Sequence, residues 1–457
     1  MRDLVVFLLV MLALPMCVRR PFFGLLVFSW LAYMRPQDLC WGFARTMRLS
    51  FFVAIAMVAG WWAIEQGQRR FARWDVRTLL VCVLGAFVAV SYGNAQIHTE
   101  YTNTYFVEYL KILAIALFTT AQVDSPARLR AMFWVIAISL GFFGIKNGLL
   151  GILSGGSPIL RGPGGMLEDN NDFALAMVMN VPLLWYLGIG EGKRWVRQAT
   201  LVAVCLSVVT VLLTHSRGAF LALCVTAVWI AWRSGHLFRA ILVLGVLALL
   251  FPVLAPDSVL ERLASINDTG DSSRNARLTA WATALQMISA NPLLGVGMRN
   301  FQPRYREYSV IPVTDDGQTY VAHNSYLQIW AESGSLAFVV YVVLLLSVFV
   351  TCARVYRLGR QRPELQWASN HARMMEATMA GFMVGAFFLN RGHFDLIYHW
   401  LALVTSLSLV AAAAQSTGPV LATAVRTPRT TGRVTVSRGQ LGGRPGLQPA
   451  LAAPRWR

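Results

Sequence analysis

The chain has 457 residues, of which 56% are hydrophobic and only 14% are charged, and its mean hydropathy is +0.53. Soluble domains carry about 25% charged residues, so this composition excludes an ordinary soluble protein and predicts a polytopic membrane protein. The net charge of +18 does not imply nucleic-acid binding, because basic membrane proteins usually carry their excess charge on cytoplasmic loops.

Apolar runs of spanning or near-spanning length predict an all-α fold with about twelve to thirteen transmembrane helices. The first run lacks a small-residue cleavage site and is followed at once by a second, so we interpret it as a retained membrane segment. The runs fall at 3–18, 21–34, 50–64, 78–93, 106–121, 131–150, 173–190, 198–214, 218–232, 237–254, 326–350, 374–390 and 396–415.

The loops between these runs alternate between basic and nearly neutral. The positive-inside rule places the basic loops in the cytoplasm and the others, 94–105, 151–172, 255–325 and 391–395, outside. The N-terminus then lies outside too, unless the first two runs form a re-entrant hairpin. The basic loops carry Arg19, Arg20, Arg69, Arg70, Arg73, Arg77, Arg128, Arg130, Lys193, Arg194, Arg197, Arg233, Arg239, Arg354, Arg357, Arg360, Arg362 and Arg373.

Two regions differ from the spans in composition. Residues 416–457 are rich in Arg, Gly, Pro and Thr, which predicts a basic, disordered cytoplasmic tail after a transmembrane domain at 1–415. The long loop at 255–325 has nearly balanced charge and predicts a folded external cap. Within it, residues 273–288 predict an amphipathic helix that either lies on the membrane or packs against the bundle. Its predicted apolar face is Leu278, Trp281, Ala282, Leu285 and Ile288.

His323 is the candidate catalytic base. It comes two residues before a predicted capping box, in which Ser325 is followed three positions later by Gln328. The positive end of a helix disfavours an imidazolium ion, so a histidine there tends to stay neutral and can accept a proton.

Three arginines are candidates for binding an anion. Arg217 lies in a tight turn between two spans, where its alternative role is to reach lipid headgroups. Arg277 lies on the predicted cap helix, and Arg161 precedes a Gly-rich turn that leads into a helix near Asn171. Several arginines and a neutral histidine outside the membrane suit a polyprenyl diphosphate, whose tail lies between helices.

No metal site is predicted. The adjacent acidic pairs in the outer loops are Glu168–Asp169 and Asp315–Asp316, and neighbours in sequence usually point apart. The cysteines are scattered and form no CxxC pair, so a zinc site is not indicated either.

The carboxyl half resembles the bacterial O-antigen ligase and O-antigen polymerase superfamily. The ligase pattern of His, a polar residue and then a Gly is met by His323, Asn324 and Gly334, whereas Ala337 departs from it. The matching segments are LLTHSRGAFLAL (212–223), RLTAWATAL (277–285), NPLLGVGMRNF (291–301) and HNSYLQIWAESGSLAF (323–338).

The amino half is similar to a narrower group, the exosortase-associated O-glycosylation ligases. The segments that carry this resemblance are RPFFGLLVFSWLAYMRPQDL (20–39), GFARTMRLSFFVA (42–54) and RGPGGMLEDNNDFALAMVMNVPLL (161–184).

These resemblances imply a GT-C-like, multi-pass glycosyltransferase of the bacterial inner membrane that works on the periplasmic face without metal or cofactor. Its donor is a glycan on undecaprenyl diphosphate, and its acceptor is a hydroxyl group on a protein or lipid. The implied diphosphate-binding residues are Arg217 and Arg277, to which we add Arg161, and the implied catalytic residue is His323. Supporting positions are expected at Asn324, Glu332, Gly334, Gly295, Gly297 and Asn300.

Two other functions remain open. A polymerase of the same superfamily would use a second lipid-linked repeat as acceptor. A transporter or flippase would need ionisable residues near mid-span and broken helices. The spans at 198–214 and 218–232 hold no central charge, while Glu108, Lys111 and Lys146 lie toward span ends.

Overall fold

The computed structural model describes residues 1–238, 272–311 and 317–416, and Met1–Ser416 form one compact unit. Almost all of the predicted run at 237–254, the first part of the cap loop, Asp315–Asp316 and the predicted tail from 417 lie outside the described residues.

The described residues form thirteen longer helices joined by short connections. Shorter helical turns lie at Pro36–Leu39, Phe43–Thr46, Trp61–Glu65, Gly165–Leu167, Tyr305–Tyr308 and Pro363–Leu365. The longer helices are α1 (Arg2–Arg19), α2 (Pro21–Tyr33), α3 (Leu49–Gly60), α4 (Val76–Gly93), α5 (Glu100–Gln122), α6 (Pro126–Leu153), α7 (Asn170–Ile189), α8 (Arg194–Leu213), α9 (Arg217–Arg233), α10 (Ser272–Ala290), α11 (Ser325–Gln361), α12 (Gln366–Ala386) and α13 (Asp395–Ser416).

The all-α polytopic membrane fold is confirmed. Every predicted apolar run that falls within the described residues is a helix, and seven helices there are long and apolar enough to cross a membrane. These seven are α4, α5, α6, α7, α8, α11 and α13; α2 and α3 are shorter apolar helices.

The helices run up and down, so their connections collect at two ends of the bundle. At one end, called the basic end, Arg233 binds Glu376 through two hydrogen bonds of 2.6 and 2.7 Å, and Arg130 pairs with Glu191. The basic end holds connections 66–75, 123–125, 190–193 and 362–365. The opposite end, called the cap end, holds connections 94–99, 154–169, 214–216 and 387–394 and the segments 291–311 and 317–324. Within the described residues, the predicted basic loops thus lie together, away from the candidate site residues.

Helix α7 lies at the centre of the bundle. Nearly all of its residues are buried, and it packs against α6, α8, α9 and α12. Within it, the Asn180 amide donates a 3.2 Å hydrogen bond to the carbonyl of Ala137 on α6. The middle of α7 is therefore tied to α6.

Helix α10 forms the cap with a small core of its own. Ala280, Ala284 and Met287 are buried against α11, and small alanine side chains let the two helices approach closely. Of the predicted apolar face, Ile288 is buried, whereas Leu278 and Leu285 are 49% and 54% exposed. The helix packs against the bundle on one side and leaves a leucine edge on the other.

Helix α11 is broken at Gly334, whose φ of +83° is not helical. The carbonyl of Ala331 accepts from Val296 N at 2.9 Å, and the carbonyl of Glu332 accepts from Gly297 N at 3.0 Å. The continuous helix expected over 326–350 is therefore two pieces. The segment 291–297, called the plug, satisfies carbonyls that the break leaves without helical partners.

Candidate active site

His323 directly precedes α11 and has the left-handed backbone angle φ +44°. The N-cap of α11 is Asn324, whose Oδ1 accepts from Tyr326 N at 3.0 Å and Leu327 N at 3.1 Å. The predicted capping box at Ser325 is therefore wrong. Ser325 Oγ instead donates to Leu389 O at 2.7 Å, because a tertiary contact takes this hydroxyl away from its own helix.

The pKa of His323 lies below its ordinary value. Burial is the main cause, the nearby positive charge of Arg277 adds to it, and the negative charge of Asp169 opposes it. His323 is therefore neutral near pH 7 and has a ring nitrogen able to accept a proton.

Arg277 reaches this position through Trp281, one turn later on the same face of α10. The indole nitrogen of Trp281 donates a 2.9 Å hydrogen bond to the carbonyl of Ala322, the residue before His323. The cap helix is thus attached beside the candidate base, which explains why its arginine acts on the histidine electrostatically.

Arg217 is an exposed residue at the start of α9, directly after a sharp turn in which His215 has φ +53°. Ser216 caps this helix by accepting from Ala219 N at 3.3 Å. A side chain at Gly218 would meet Phe388 at 2.7 Å, so the turn lies against the end of α12.

The neighbouring ring links the elements that carry the two arginines predicted to bind the diphosphate. Phe387 packs edge-on against Trp281, with ring centroids 5.4 Å apart. The start of α9 and the cap helix therefore meet the same aromatic pair, Phe387–Phe388, at the cap end.

Arg161 is exposed and pairs through its backbone with Asp169 in an isolated antiparallel bridge. Hydrogen bonds on both sides of Arg161 lead to the end of α8. Ile159 N donates to Leu213 O at 2.8 Å, and Asn170 Nδ2 donates to Thr214 O at 3.0 Å. The predicted helix near Asn171 is confirmed as α7, capped by Asp169. The segment with Arg161 is thus tied to the turn that carries Arg217.

The expected supporting residues hold the plug in place. A side chain at Gly295 would meet Glu332 carbonyl carbon at 2.5 Å, and one at Gly297 would meet Ala95 at 2.4 Å. Asn300 accepts from Ile97 N at 3.2 Å and donates to Ile97 O at 3.1 Å, joining the segment just after the plug to the α4–α5 connection.

Glu332 is buried beside the break in α11. Its carboxylate accepts from Gln328 Nε2 at 3.3 Å, and its carbonyl accepts from Ser91 Oγ at 2.6 Å. These contacts fix the short helix that begins after His323 to α4.

One ion pair at the site was not singled out from the sequence. Arg391, in the connection between α12 and α13, pairs with Asp172 in the first turn of α7. Its backbone N–H also donates to Ser325 Oγ at 2.8 Å, two residues after His323. The sequence did offer a signal for this residue, because Arg391 is a charged residue in the predicted five-residue loop 391–395 between two spans.

The site favours an anionic ligand that is held by side chains and helix ends. The N-termini of α7, α9, α11 and α13 lie at the cap end, where helix N–H groups and dipoles attract negative charge. Arg217 and Arg277 can add planar two-pronged hydrogen bonds of the kind that suits phosphate oxygens. His323 is neutral near pH 7 and lies within electrostatic reach of Arg277.

Among the described residues, no group of three or more His, Cys, Asp or Glu side chains could hold a metal ion. Glu168 is exposed, while the Asp169 carboxylate accepts from Asn171 N at 2.9 Å as the N-cap of α7. The second acidic pair considered from the sequence, Asp315–Asp316, lies outside the described residues.

Comparison with known families places this site in context. Residues 202–342 match the O-antigen ligase family. The match begins within α8, ends within α11 and contains Arg217, Arg277 and His323. Membership of the wider superfamily expected from the sequence is thereby supported.

The amino half gives a second match. Residues 1–189 match a family of unknown function, and this region contains Arg161, Asp169 and Asp172. None of the curated proteins matches the chain. The O-antigen ligase match and this second match meet at the cap end, where Asn170 Nδ2 donates to the carbonyl of Thr214.

Proposed function

We propose that this protein is a membrane glycan ligase that transfers a glycan from undecaprenyl diphosphate to an acceptor hydroxyl group. Residues 1–415 form its GT-C-like transmembrane glycosyltransferase domain. We assign the cap end to the periplasmic face of the bacterial inner membrane, because the arginine-rich loops lie at the other end.

The observation that carries this proposal is the setting of His323. It is a neutral histidine next to the positive charge of Arg277, at the start of a membrane helix and inside the O-antigen ligase match. A base beside an anion-binding arginine is the arrangement that transfer from a diphosphate to a hydroxyl requires.

The proposed step breaks one bond and forms one. The acceptor oxygen attacks the anomeric carbon while the bond from that carbon to the diphosphate oxygen breaks, so the configuration inverts. His323 takes the hydroxyl proton, and undecaprenyl diphosphate leaves with the bonding electron pair. Arg217 and Arg277, with Arg161 as a third cation, stabilise the charge on the diphosphate, and no metal takes part.

The amino-half segments favour a protein acceptor. Residues 20–39, 42–54 and 161–184 resemble exosortase-associated O-glycosylation ligases, and on this resemblance we propose a protein acceptor rather than a lipid one. A polymerase would instead use the terminal sugar of a second lipid-linked repeat. The donor chemistry is the same in both cases, so the acceptor alone separates them.

Transporters often contain broken helices, but the break in α11 does not favour a transporter. Broken helices in transporters leave backbone groups available for ions or substrate. In this protein the carbonyls of Ala331 and Glu332 accept hydrogen bonds from Val296, Gly297 and Ser91. The break is therefore occupied by the protein's own plug.

The test is reconstitution in proteoliposomes with a polyprenyl diphosphate glycan and three acceptors: a protein, a lipid-linked core sugar and a second donor molecule. We expect transfer to the protein, and His323→Ala should lower the rate by about 10²–10⁴-fold while donor binding persists. His323→Gln can donate a hydrogen bond but cannot act as a base, so it should be equally inactive.

The matched control is His236→Ala, an exposed histidine at the basic end that should leave transfer unchanged. Transfer to the second donor alone would identify a polymerase. If both His323 variants remained folded and turned over normally, the proposed role of this histidine would be wrong.

A further inference from the structure

Residues 161–169, called the glycine loop, form a closed loop between α6 and α7. Arg161 and Asp169 pair through their backbones at its two ends. Inside this bridge, Gly162 N donates to Glu168 O at 2.8 Å. The loop therefore has a defined shape, and its ends carry one residue that is predicted to bind the diphosphate and one that caps α7.

The middle of the glycine loop lies on two side chains that follow α2. A side chain at Gly165 would meet the guanidinium carbon of Arg35 at 2.3 Å, so this flat group packs directly against the loop backbone. Arg35 Nε donates to the carboxylate of Asp38, and a side chain at Gly164 would meet that carboxylate at 2.9 Å. The Arg35–Asp38 pair, called the seat, therefore fits closely under two consecutive glycines.

The seat is largely shielded from water. The side chains of Arg35 and Asp38 are 25% and 17% exposed, so this is not one of the freely solvated ion pairs that contribute little to stability. Arg35 also lines a small cavity together with Leu167 of the glycine loop and Phe394 and Asp395 next to and at the start of α13. The seat thus lies where the amino half, the glycine loop and the α12–α13 connection meet.

The glycine loop is attached in turn to the candidate active site. Asn170, which directly follows it, donates through Nδ2 to Thr214 O at 3.0 Å, in the turn before α9. Asp169 lies close enough to His323 for its negative charge to raise the pKa of the histidine, against the opposing effects of burial and Arg277. A shift of the loop would therefore change both the turn and the charge near the candidate base.

We infer that Arg35 and Asp38 are positioning residues that hold the glycine loop at the candidate active site. They act through Arg161 and Asp169 and do not contact substrate. This inference rests on the proposed function. It gives a role to part of the region at 1–189 that matches a family of unknown function, because both the seat and the loop lie in that region.

The first measurement is hydrogen exchange, detected by mass spectrometry, on the full-length protein in lipid nanodiscs. Arg35→Lys keeps the positive charge but loses the flat guanidinium that packs against Gly165. We expect the peptide covering 162–168 to exchange about tenfold faster or more, because local opening of the loop becomes easier. Peptides from the centre of α7 should exchange as in the wild type, which shows that the bundle is intact.

Asp38→Asn is the second variant, because it keeps the size of the side chain and removes the charge that binds Arg35. It should also speed exchange in the glycine loop. The matched control is Arg45→Lys, at an exposed arginine in the short helical turn Phe43–Thr46 of the same half. We expect Arg45→Lys to leave exchange and transfer unchanged.

The second measurement is the pH profile of transfer, which separates positioning from a general loss of stability. Asp169→Asn removes a negative charge near His323, so the acid limb should move to lower pH. Arg35→Lys should move it in the same direction, because the loop then holds Asp169 less well. The double variant should shift the limb no further than Asp169→Asn alone, since both changes act through one carboxylate. A merely destabilised protein would lose activity without a shift of the limb.

The two measurements keep this inference separable from the ligase proposal. Faster exchange that is confined to the glycine loop supports the seat, and it does so even if the wild type transfers no glycan. Wild-type exchange in both Arg35→Lys and Asp38→Asn overturns the seat, even if transfer by the wild type is normal. Additive shifts of the acid limb in the double variant would also overturn it, because the pair would then act independently of Asp169.

Discussion

The indole nitrogen of Trp281 donates a 2.9 Å hydrogen bond to the carbonyl of Ala322. This bond attaches the cap helix to the residue before His323, and it brings Arg277, one turn earlier, within electrostatic reach of the histidine. The cap therefore contributes directly to the candidate active site.

Trp281→Phe tests this attachment. Phenylalanine keeps an aromatic ring against Phe387 but removes the bond to Ala322, whose loss is worth about 0.5–1.5 kcal/mol. We expect the transfer rate to fall about 2- to 10-fold with little change in heat stability. The control is Trp195→Phe, an exposed tryptophan at the start of α8. Equal rates in both variants would show that the bond does not position the site.

Replacement of the two arginines by lysine tests how they bind the diphosphate. Lysine keeps the positive charge but loses the planar pair of donors, so Arg217→Lys and Arg277→Lys should impair transfer nearly as much as the alanine variants. Steady-state kinetics with the reconstituted protein measure the difference. Full activity with lysine would mean that a general positive charge suffices.

The pH dependence of transfer tests the charges around His323. Its pKa lies below the ordinary value, so the neutral base persists to lower pH than usual, and activity is lost as pH falls through that pKa. Asp169 opposes the shift. Asp169→Asn removes this negative charge, lowers the pKa further and should move the acid limb of the rate profile to lower pH.

Asparagine also caps helices well, so Asp169→Asn should keep the start of α7 intact. Asp75→Asn is the matched control, since Asp75 caps α4 at the basic end. In Arg277→Gln, the acid limb of the rate profile should move to higher pH, because loss of a positive charge raises the pKa of His323. An acid limb that moves the same way in both variants would contradict this assignment.

Gly334→Ala tests the break in α11. A side chain there would lie 1.9 Å from the carbonyl oxygen of Leu293, and the φ of +83° is itself unfavourable for alanine. We expect a loss of stability of about 2 kcal/mol or more, together with loss of transfer. Gly93→Ala, at the end of α4 with no atom within 4 Å, should be nearly neutral in a thermal unfolding assay.

Much of the fold was predictable because its signals are local. Apolar runs gave the helices, and the arginine loops gave the basic end, since hydropathy and charge need no knowledge of distant contacts. The position of His323 before α11 and of Arg217 in a sharp turn followed from the same patterns. Their predicted catalytic roles stay predictions.

What the sequence did not reveal depends on residues far apart in the chain. The capping box failed because Leu389 and Arg391 engage Ser325. The break in α11 depends on the close approach of the plug to Gly334, and the ion pair of Arg391 joins the first turn of α7 to the α12–α13 connection. No local pattern contains such pairings.

The plug has a consequence for how this protein is made. Residues 291–297 leave the ribosome before α11, so the groups that satisfy the carbonyls of Ala331 and Glu332 exist before the helix that needs them. When α11 inserts into the bilayer, its carbonyls therefore meet donor groups that were synthesised before it. A protease cut within the plug would therefore release a membrane helix from its anchor, although the cut itself lies in a loop.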